Sequence, residues 1–257
     1  YRGLIESGFP TENIGVVDPS EAAQSAARAS GLIRIAESAT NADLSADLIV
    51  LAVKPQITGI ALSPLAHRVS STATVLSIIA GINSASLANL LGLPSDDAVV
   101  RSMPNTPALV GEGMTGLFSN SDQRAHGRLL AERVMSAVGQ CVWVSNESDL
   151  DLVTAISGSG PAYFFLFMES LADAAVELGM SPQTAHQLSI QTALGAAKLA
   201  QTSDDALAKL RENVTSPGGT TEQAIKSFEA SELRAIVMSA TRAAKKRSIE
   251  LSEEFGL

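Results

Sequence analysis

The chain has 257 residues, enough for one large domain or two ordinary ones, and its 46% hydrophobic content describes a folded chain and not a disordered one. A net charge of −9 argues against nucleic acid or anionic membrane as partners. Any anionic ligand has to be held by local donors against the overall field.

The uninterrupted apolar runs are short, "YFFLFM" at Tyr163 to Met168 among the longest. None approaches the roughly 18 residues of a membrane span, so no membrane partner is expected. Tyr1 to Pro10 has no long apolar stretch of the signal-sequence kind. The single Cys141 allows no intrachain disulfide and suits a reducing compartment, which points to the cytoplasm. It stands in "GQCVWV", where a packed thiol is expected.

Along the chain, Tyr1 to Gly8 reads as the end of a helix. The runs "NIGVVD", "ADLIVLAV", "TATVLSII", "DDAVVRS" and "GQCVWV" read as strands, several of them apolar at nearly every position, as strands buried on both faces are. Between them "PSEAAQSAARASG", "KPQITGIALSPLAHRV", "SASLANLLG" and "SDQRAHGRLLAERVMSAVG" carry helical spacing. This alternation predicts an α/β fold, a doubly wound parallel sheet with helices on both faces. Past Val144 the pattern is helical throughout, with Gly179 closing one helix and Ser181–Pro182 opening the next. The expected domains are 1–145 and 146–257. A doubly wound nucleotide domain ordinarily opens on a strand and a glycine-rich turn, so about 10–25 further residues carrying both are expected before Tyr1 in the native protein.

"SGSGP" at Ser157 to Pro161 looks like a phosphate loop, but Tyr163 stands where a third glycine is needed and no clear strand precedes it. Close helix packing, with Pro161 in a first turn, explains it better. "LAVKPQ", "SIIAGI" and "RSMPNTP" leave three expected strands at their carboxyl ends, the edge where open α/β sheets bind ligands. Lys54 is there either as a phosphate or ribose contact or as a solvated lysine at a helix start. Pro104 and Pro107 bracket Asn105 and Thr106 in a stiff loop that serves a ligand or a turn equally well. Asp18 follows "IGVV" and suits a ribose, or else "DPS" is a helix cap. His67, His126 and His186 are scattered and read as non-catalytic, and no metal motif is present.

"RENVTSPGGTTEQAI" (Arg211 to Ile225) interrupts two helical segments, 204–212 and 220–228. A helix beginning near Thr220 leaves its first amides unpaired and partly positive. Gly218 and Gly219 admit close approach to the backbone, and Thr220 and Thr221 add hydroxyls, which together make an anion cradle suited to a carboxylate. A plain interhelical turn is the competing explanation.

"AVKPQ", "AGI", "MPNTP", "SGSGPAY" and "TSPGGTT", in this order and spacing, resemble pyrroline-5-carboxylate reductase across essentially the whole chain. The resemblance implies a Rossmann domain followed by an all-α dimerisation domain that builds an intertwined homodimer, often assembled further into a decamer. It implies NADPH or NADH as coenzyme and reduction of a cyclic imine to L-proline, the last step of proline biosynthesis. Carried over by position, coenzyme contacts fall at Asn41, Ala52, Val53, Lys54, Pro55, Ile78, Ile79, Ala80 and Asn213, to which Asp18 is added from its place after a strand. Substrate contacts fall at Glu147, Val214, Ser216, Gly219, Thr220 and Thr221, with Gly218 beside them in the cradle. Thr221 is the candidate donor to the ring nitrogen. Two alternatives stay open: another Rossmann reductase acting on a keto or hydroxy acid, and a non-catalytic scaffold if the glycine loop is absent.

Overall fold

A computed structural model describes residues 1–121 and 125–255. Two compact units are present, residues 1–159 with 244–257, and residues 160–243. The first runs α1 (Arg2–Glu6), β1 (Gly15–Val17), α2 (Glu21–Ala29), β2 (Arg34–Ala36), β3 (Leu48–Leu51), α3 (Thr58–Leu62), β4 (Thr74–Ser77), α4 (Ser84–Leu91), β5 (Val99–Met103), β6 (Gly113–Ser119), α5 (Ala125–Ser136), β7 (Gly139–Trp143) and α6 (Asp149–Val153). β1 and β2 pair in parallel, and β3 to β7 form a second sheet in chain order.

Two strands, β2 and β6, stand where no strand was expected. β2 is a three-residue strand within "GLIRIAES", too short to show alternation. β6 contains Gly113 and Gly116, which weaken any strand pattern, yet both are needed. A Cβ on Gly116 would come within 2.7 Å of the Val153 side chain, and one on Gly113 within 2.8 Å of the Val138 carbonyl. β6 also corrects the expectation of an all-parallel sheet. It pairs antiparallel with β5 and parallel with β7. The connection from β5 to β6 turns through a single 3-10 segment at Thr106–Val110, too short for the crossover that a parallel neighbour requires.

The helix expected across 54–69 is broken into α3 and two flanking 3-10 turns at Pro55–Ile57 and Ser63–Leu65. Pro64 removes a backbone donor, and His67 takes a left-handed conformation (φ 59°). The helix expected from Ser121 is described from Ala125, and Asp122, Gln123 and Arg124 lie outside the described residues.

β4 shows how the core is divided. All its residues are buried, but Val75 packs with Leu51, Leu87 and Val99, whereas Leu76 packs with Val100, Leu117 and Ala131. Successive side chains of a strand point to opposite faces, so these are the two covered faces of the sheet. Cys141 is half-buried, and burial is the main reason its thiol pKa is pushed up.

The second unit holds α7 (Gly160–Glu177), α8 (Pro182–Thr202), α9 (Leu207–Asn213), α10 (Thr220–Ala230) and the first part of α11 (Leu233–Phe255). From Ala244 onward α11 belongs to the first unit. The switch of pattern near Ser145 therefore marks the end of β7, while the first compact unit continues through α6 and a π-type turn at Thr154–Gly158. Within the second unit the Ser189 hydroxyl donates to the Met168 carbonyl (2.6 Å), and the Phe167 and Phe228 rings meet at 6.1 Å. The helical run 149–177 is long and apolar enough to cross a membrane by length and composition. Counting uninterrupted apolar runs missed this, because isolated acids such as Glu169 and Asp173 break the run without making the helix polar.

Candidate active site

β3, β4 and β5 are parallel neighbours with Leu51 opposite Ser77 and Ser77 opposite Arg101, so their carboxyl ends share one edge. Ala52, Val53, Lys54 and Pro55 leave β3 there, and Ile78, Ile79 and Ala80 leave β4. Lys54 caps the 3-10 turn, its carbonyl accepting from the Ile57 amide (3.1 Å) and the Thr58 hydroxyl (3.3 Å). Its ammonium is exposed. The β4 exit is held from beneath: the Ser102 hydroxyl donates to the Ser77 carbonyl (2.9 Å), and the Ser77 hydroxyl accepts from the Ile79 amide (3.2 Å). Gly81 then turns with φ 79°, its missing Cβ facing the Leu251 carbonyl at 3.3 Å. Ala52 and Ala80 are exposed, carry only methyl side chains, and have no hydrogen bond on their amides among the described residues. A dinucleotide can lie against such a backbone without displacing anything, so the edge fits the coenzyme.

Asp18 and Asn41 lie at the other sheet. The Asp18 amide continues the β1–β2 pairing by donating to the Ala36 carbonyl (3.1 Å). Its carboxylate accepts from the Ser20 amide (2.8 Å), so it does shape the start of α2, while Ser20 itself caps that helix by accepting from Ala23. Asn41 is exposed in the loop between β2 and β3.

Asn105 is structural. Its Nδ2 donates to the Ser157 carbonyl (3.0 Å) and its Oδ1 accepts from the Met114 amide (2.9 Å), so the "MPNTP" loop is pinned to the π-type turn and to β6. Glu147 Oε1 accepts from the Ser84 amide (2.7 Å), the Ser84 hydroxyl (2.8 Å) and Arg101 Nη1 (3.1 Å). The Arg101 side chain is 13% exposed, which makes this the most enclosed ion pair among the described residues. A carboxylate at the first turn of α4 is also favoured by the helix dipole. Oε2 of Glu147 carries no bond among the described residues. A recess of about 190 Å³ lies between the β4 exit (Ile79 to Gly81) and the end of α11, where the Ser248 hydroxyl donates to Asp151 (2.6 Å).

The remaining candidates belong to the second unit. Gly219 is the N-cap of α10 with no side-chain cap. Its own amide donates to the Ser216 carbonyl (3.0 Å), and no hydrogen bond is made by the amides of Thr220, Thr221 and Glu222 among the described residues. Both threonines are exposed. Gly218 differs from its neighbours: it turns at φ 72°, and its amide donates to Glu222 Oε2 (2.9 Å). That hydrogen bond is the largest cause holding the Glu222 carboxyl below its ordinary pKa, with Lys226 next. Gly218 thus shapes the turn, and its donor is taken. Val214 is exposed at the end of α9, and the Asn213 amide group reaches Asp205 at 3.5 Å.

Residues 147–251 match a family model described as pyrroline-5-carboxylate reductase dimerisation. A pyrroline-5-carboxylate reductase of Pseudomonas aeruginosa is 45% identical over 254 residues, which are 99% of this chain and 92% of that protein. The chain belongs to the pyrroline-5-carboxylate reductase family. Solved structures of the family agree. That of the Coxiella burnetii reductase superposes with a TM-score of 0.90 at 39% identity, covering 97% of this chain and 92% of that one. That of the Plasmodium falciparum reductase, solved with NADP bound, gives 0.82 at 31% identity and the same coverage. The fold is accordingly a Rossmann-type domain with the family's helical dimerisation region.

Sequence reasoning missed Ser84, Arg101 and Glu222 in this reductase. Ser84 and Arg101 hold Glu147 across 63 and 46 positions, a pairing that no local spacing signals. Glu222 did have a signal, an acid three residues into the α10 helix, the place from which a side chain reaches back over the N-terminus.

Proposed function

We propose that the chain reduces 1-pyrroline-5-carboxylate to L-proline with NADPH or NADH. The observation that carries this is the full-length likeness to curated reductases, 45% identical to that of Pseudomonas aeruginosa. The donor set of α10 supports it, because the substrate is an anion and the cradle offers amides and hydroxyls with no cation between Glu212 and Gln223.

The coenzyme, when bound, supplies a hydride from its nicotinamide C4. Ala52 to Pro55 and Ile78 to Ala80 hold it at the carboxyl edge of β3 and β4, with Asp18 and Asn41 toward its adenosine end and Asn213 as a further contact. The free amides of Thr220 and Thr221 hold the carboxylate, each charge-assisted hydrogen bond contributing roughly 1.5–3 kcal/mol and the helix terminus about 0.3–1 kcal/mol more. Gly219 keeps the approach open, and Val214 and Ser216 complete the wall. Glu147 contacts the substrate through its remaining oxygen. A protonated imine is already electrophilic: a C–H bond forms at the imine carbon as the C=N pair moves to nitrogen, leaving a secondary amine. No strong acid is required, and the Thr221 hydroxyl serves as donor to the ring nitrogen while the site positions the reactants.

The working form is a homodimer through the helical region, with a decamer as the larger assembly, and the location is the cytoplasm. An assay of pyrroline-5-carboxylate-dependent oxidation of each coenzyme, with L-proline identified as product, tests the reading. Absence of turnover with both coenzymes would overturn it.

A further inference from the structure

The loop 37–47 between β2 and β3 packs Ala39 and Leu44 against the core and is joined to β4 where the Thr74 amide donates to the Asp47 carbonyl (2.9 Å), and one side chain, Arg68, clasps the carbonyls of its middle. Arg68 Nη1 donates to the carbonyls of Ala39 (2.6 Å) and Pro64 (3.1 Å), and Nη2 donates to the carbonyl of Ala42 (3.2 Å). Two of these acceptors lie 29 and 26 positions upstream, on either side of Asn41. Within the loop only the Asn41 amide to Ser38 (3.1 Å) and the Ala42 amide to Ala39 (3.4 Å) close a turn, and Asp43 is tied to Arg34 and Ser45. Arg68 reaches this position because the chain ahead of it is sharply turned. Pro64 and the left-handed His67 end the helical segment, and the His67 amide is fixed to the Leu91 carbonyl (2.9 Å).

The loop leaves β2 at the edge where Asp18 leaves β1, since Val17 pairs with Ala36 and the Asp18 amide donates to the Ala36 carbonyl. In doubly wound folds a ligand lies outside the carboxyl ends of the strands, and the acid after a strand of this kind faces the adenosine ribose. We infer that Arg68 is a positioning residue for the coenzyme: without touching it, the guanidinium fork holds the 37–47 loop in the form that receives the adenosine end. This rests on the proposed placement of coenzyme along the carboxyl edge.

The chemistry of the fork makes the inference specific. Its planar donors point at carbonyls on two separate segments at once, which a single ammonium at the end of a flexible stem does not reproduce. A residue acting by positive charge on a phosphate would behave in the opposite way, with lysine restoring most of its effect.

The test uses the full chain with Arg68→Ala and Arg68→Lys. Hydrogen exchange of the Asn41 and Ala42 amides is expected to speed up in both variants. The KM values for NADPH and NADH are expected to rise together by about tenfold or more, the loss of a charge-assisted hydrogen bond or two. Unchanged kcat, an unchanged KM for the imine, and unchanged KM for reduced nicotinamide mononucleotide, which has no adenosine, complete the expected pattern. A rise confined to NADPH and rescued by lysine would mean direct phosphate contact and overturn the positioning role. Faster exchange without any change in coenzyme KM would place the loop away from the coenzyme and also overturn it. Failure of the function itself is separate, because it would appear as no imine reduction by the wild-type chain.

Discussion

The two compact units treat their apolar residues in opposite ways. In the first, Leu76, Leu87, Val99 and Leu117 are fully buried, and both faces of the sheet are covered. In the second, the buried residues are Gly160, Ala185 and Ser189 alone, while Phe164, Phe165 and Leu166 are 69%, 62% and 63% exposed. A unit of that composition does not bury enough of its own surface to offset the entropy of ordering it. An uncovered apolar face of this extent is an interaction surface, and the family's dimerisation region spans it. One unit is therefore a domain in the ordinary sense, and the other needs a covering partner for its apolar face.

The strongest way to break the comparison is to charge the open face. Phe164 and Leu171 lie on one side of α7, one turn before and one turn after Phe167. Phe164→Glu with Leu171→Glu is expected to dissociate the oligomer and abolish activity. Each apolar side chain withheld from an interface forfeits about 1.5–3 kcal/mol, and burying an unpaired carboxylate costs more. Sedimentation of the variant checks this. A folded, active monomer, from either the variant or the wild type at micromolar concentration, would mean that the face needs no second copy. Substitutions in the buried core of the first unit have no counterpart to this, since Leu76, Leu87, Val99 and Leu117 already have internal partners.

The next effect is local to the cradle. Gly219→Val should raise the KM for pyrroline-5-carboxylate by about 100-fold, as the branched side chain crowds the carboxylate and forfeits charge-assisted hydrogen bonds. Coenzyme KM should stay nearly unchanged. A Cβ at Gly219 would stand 3.0 Å from the Ser216 carbonyl, so a milder Gly219→Ala variant separates crowding of the ligand from crowding of the turn. Wild-type kinetics in both would reduce the stretch to an interhelical connection.

Thr221→Ala probes a smaller term. If its hydroxyl assists the ring nitrogen only as the hydride arrives, kcat and kcat/KM fall together, by about tenfold for one neutral hydrogen bond made in the transition state. A rise in KM at constant kcat would assign the hydroxyl to carboxylate binding instead.

How much of this was legible in the sequence follows from distance along the chain. The start of α10 was readable because its glycines and hydroxyls are consecutive at a break between two helical patterns, and the amides of Thr220 and Thr221 make no hydrogen bond among the described residues. The exits of β3 and β4 were readable because fully apolar strands announce their own ends. What was not readable is long-range. The hold of Arg101 and Ser84 on Glu147 and that of Arg68 on the Ala39 and Ala42 carbonyls join segments whose proximity is set by the sheet. β6 was hidden for a different reason. Its glycines are required by the close approach of Val153 and the Val138 carbonyl, and those same glycines erase the strand pattern. Gly218 shows a third kind of limit, since its lack of a side chain marks it as open to close approach, but the direction of the Glu222 side chain, which takes the Gly218 amide, is not written in that composition.

The smallest expected effect concerns coenzyme choice, and it sharpens the reading of the first unit. Asp18 has two roles open to it, and the structure demonstrates one, a carboxylate that accepts from the Ser20 amide at the start of α2. The backbone carbonyl of Asp18 is engaged separately by the Gln24 side chain (2.9 Å), so the residue is anchored whatever its side chain does. One carboxylate oxygen therefore remains for a ribose, and its charge would oppose a 2′-phosphate. At a half-exposed site two unit charges about 4 Å apart interact by roughly 1 kcal/mol in water, further reduced by salt. Asp18→Ser removes the charge and keeps a side-chain oxygen able to accept from the same amide. The ratio of kcat/KM for NADPH to that for NADH should then rise by about three- to fivefold, and more at low ionic strength than at high. Thermal stability should fall only slightly, because serine preserves the turn. If the ratio stays fixed at both salt concentrations while Asp18→Ala lowers the melting temperature, the carboxylate serves α2 alone. Coenzyme preference must then be set by other residues of the loops that follow β1 and β2.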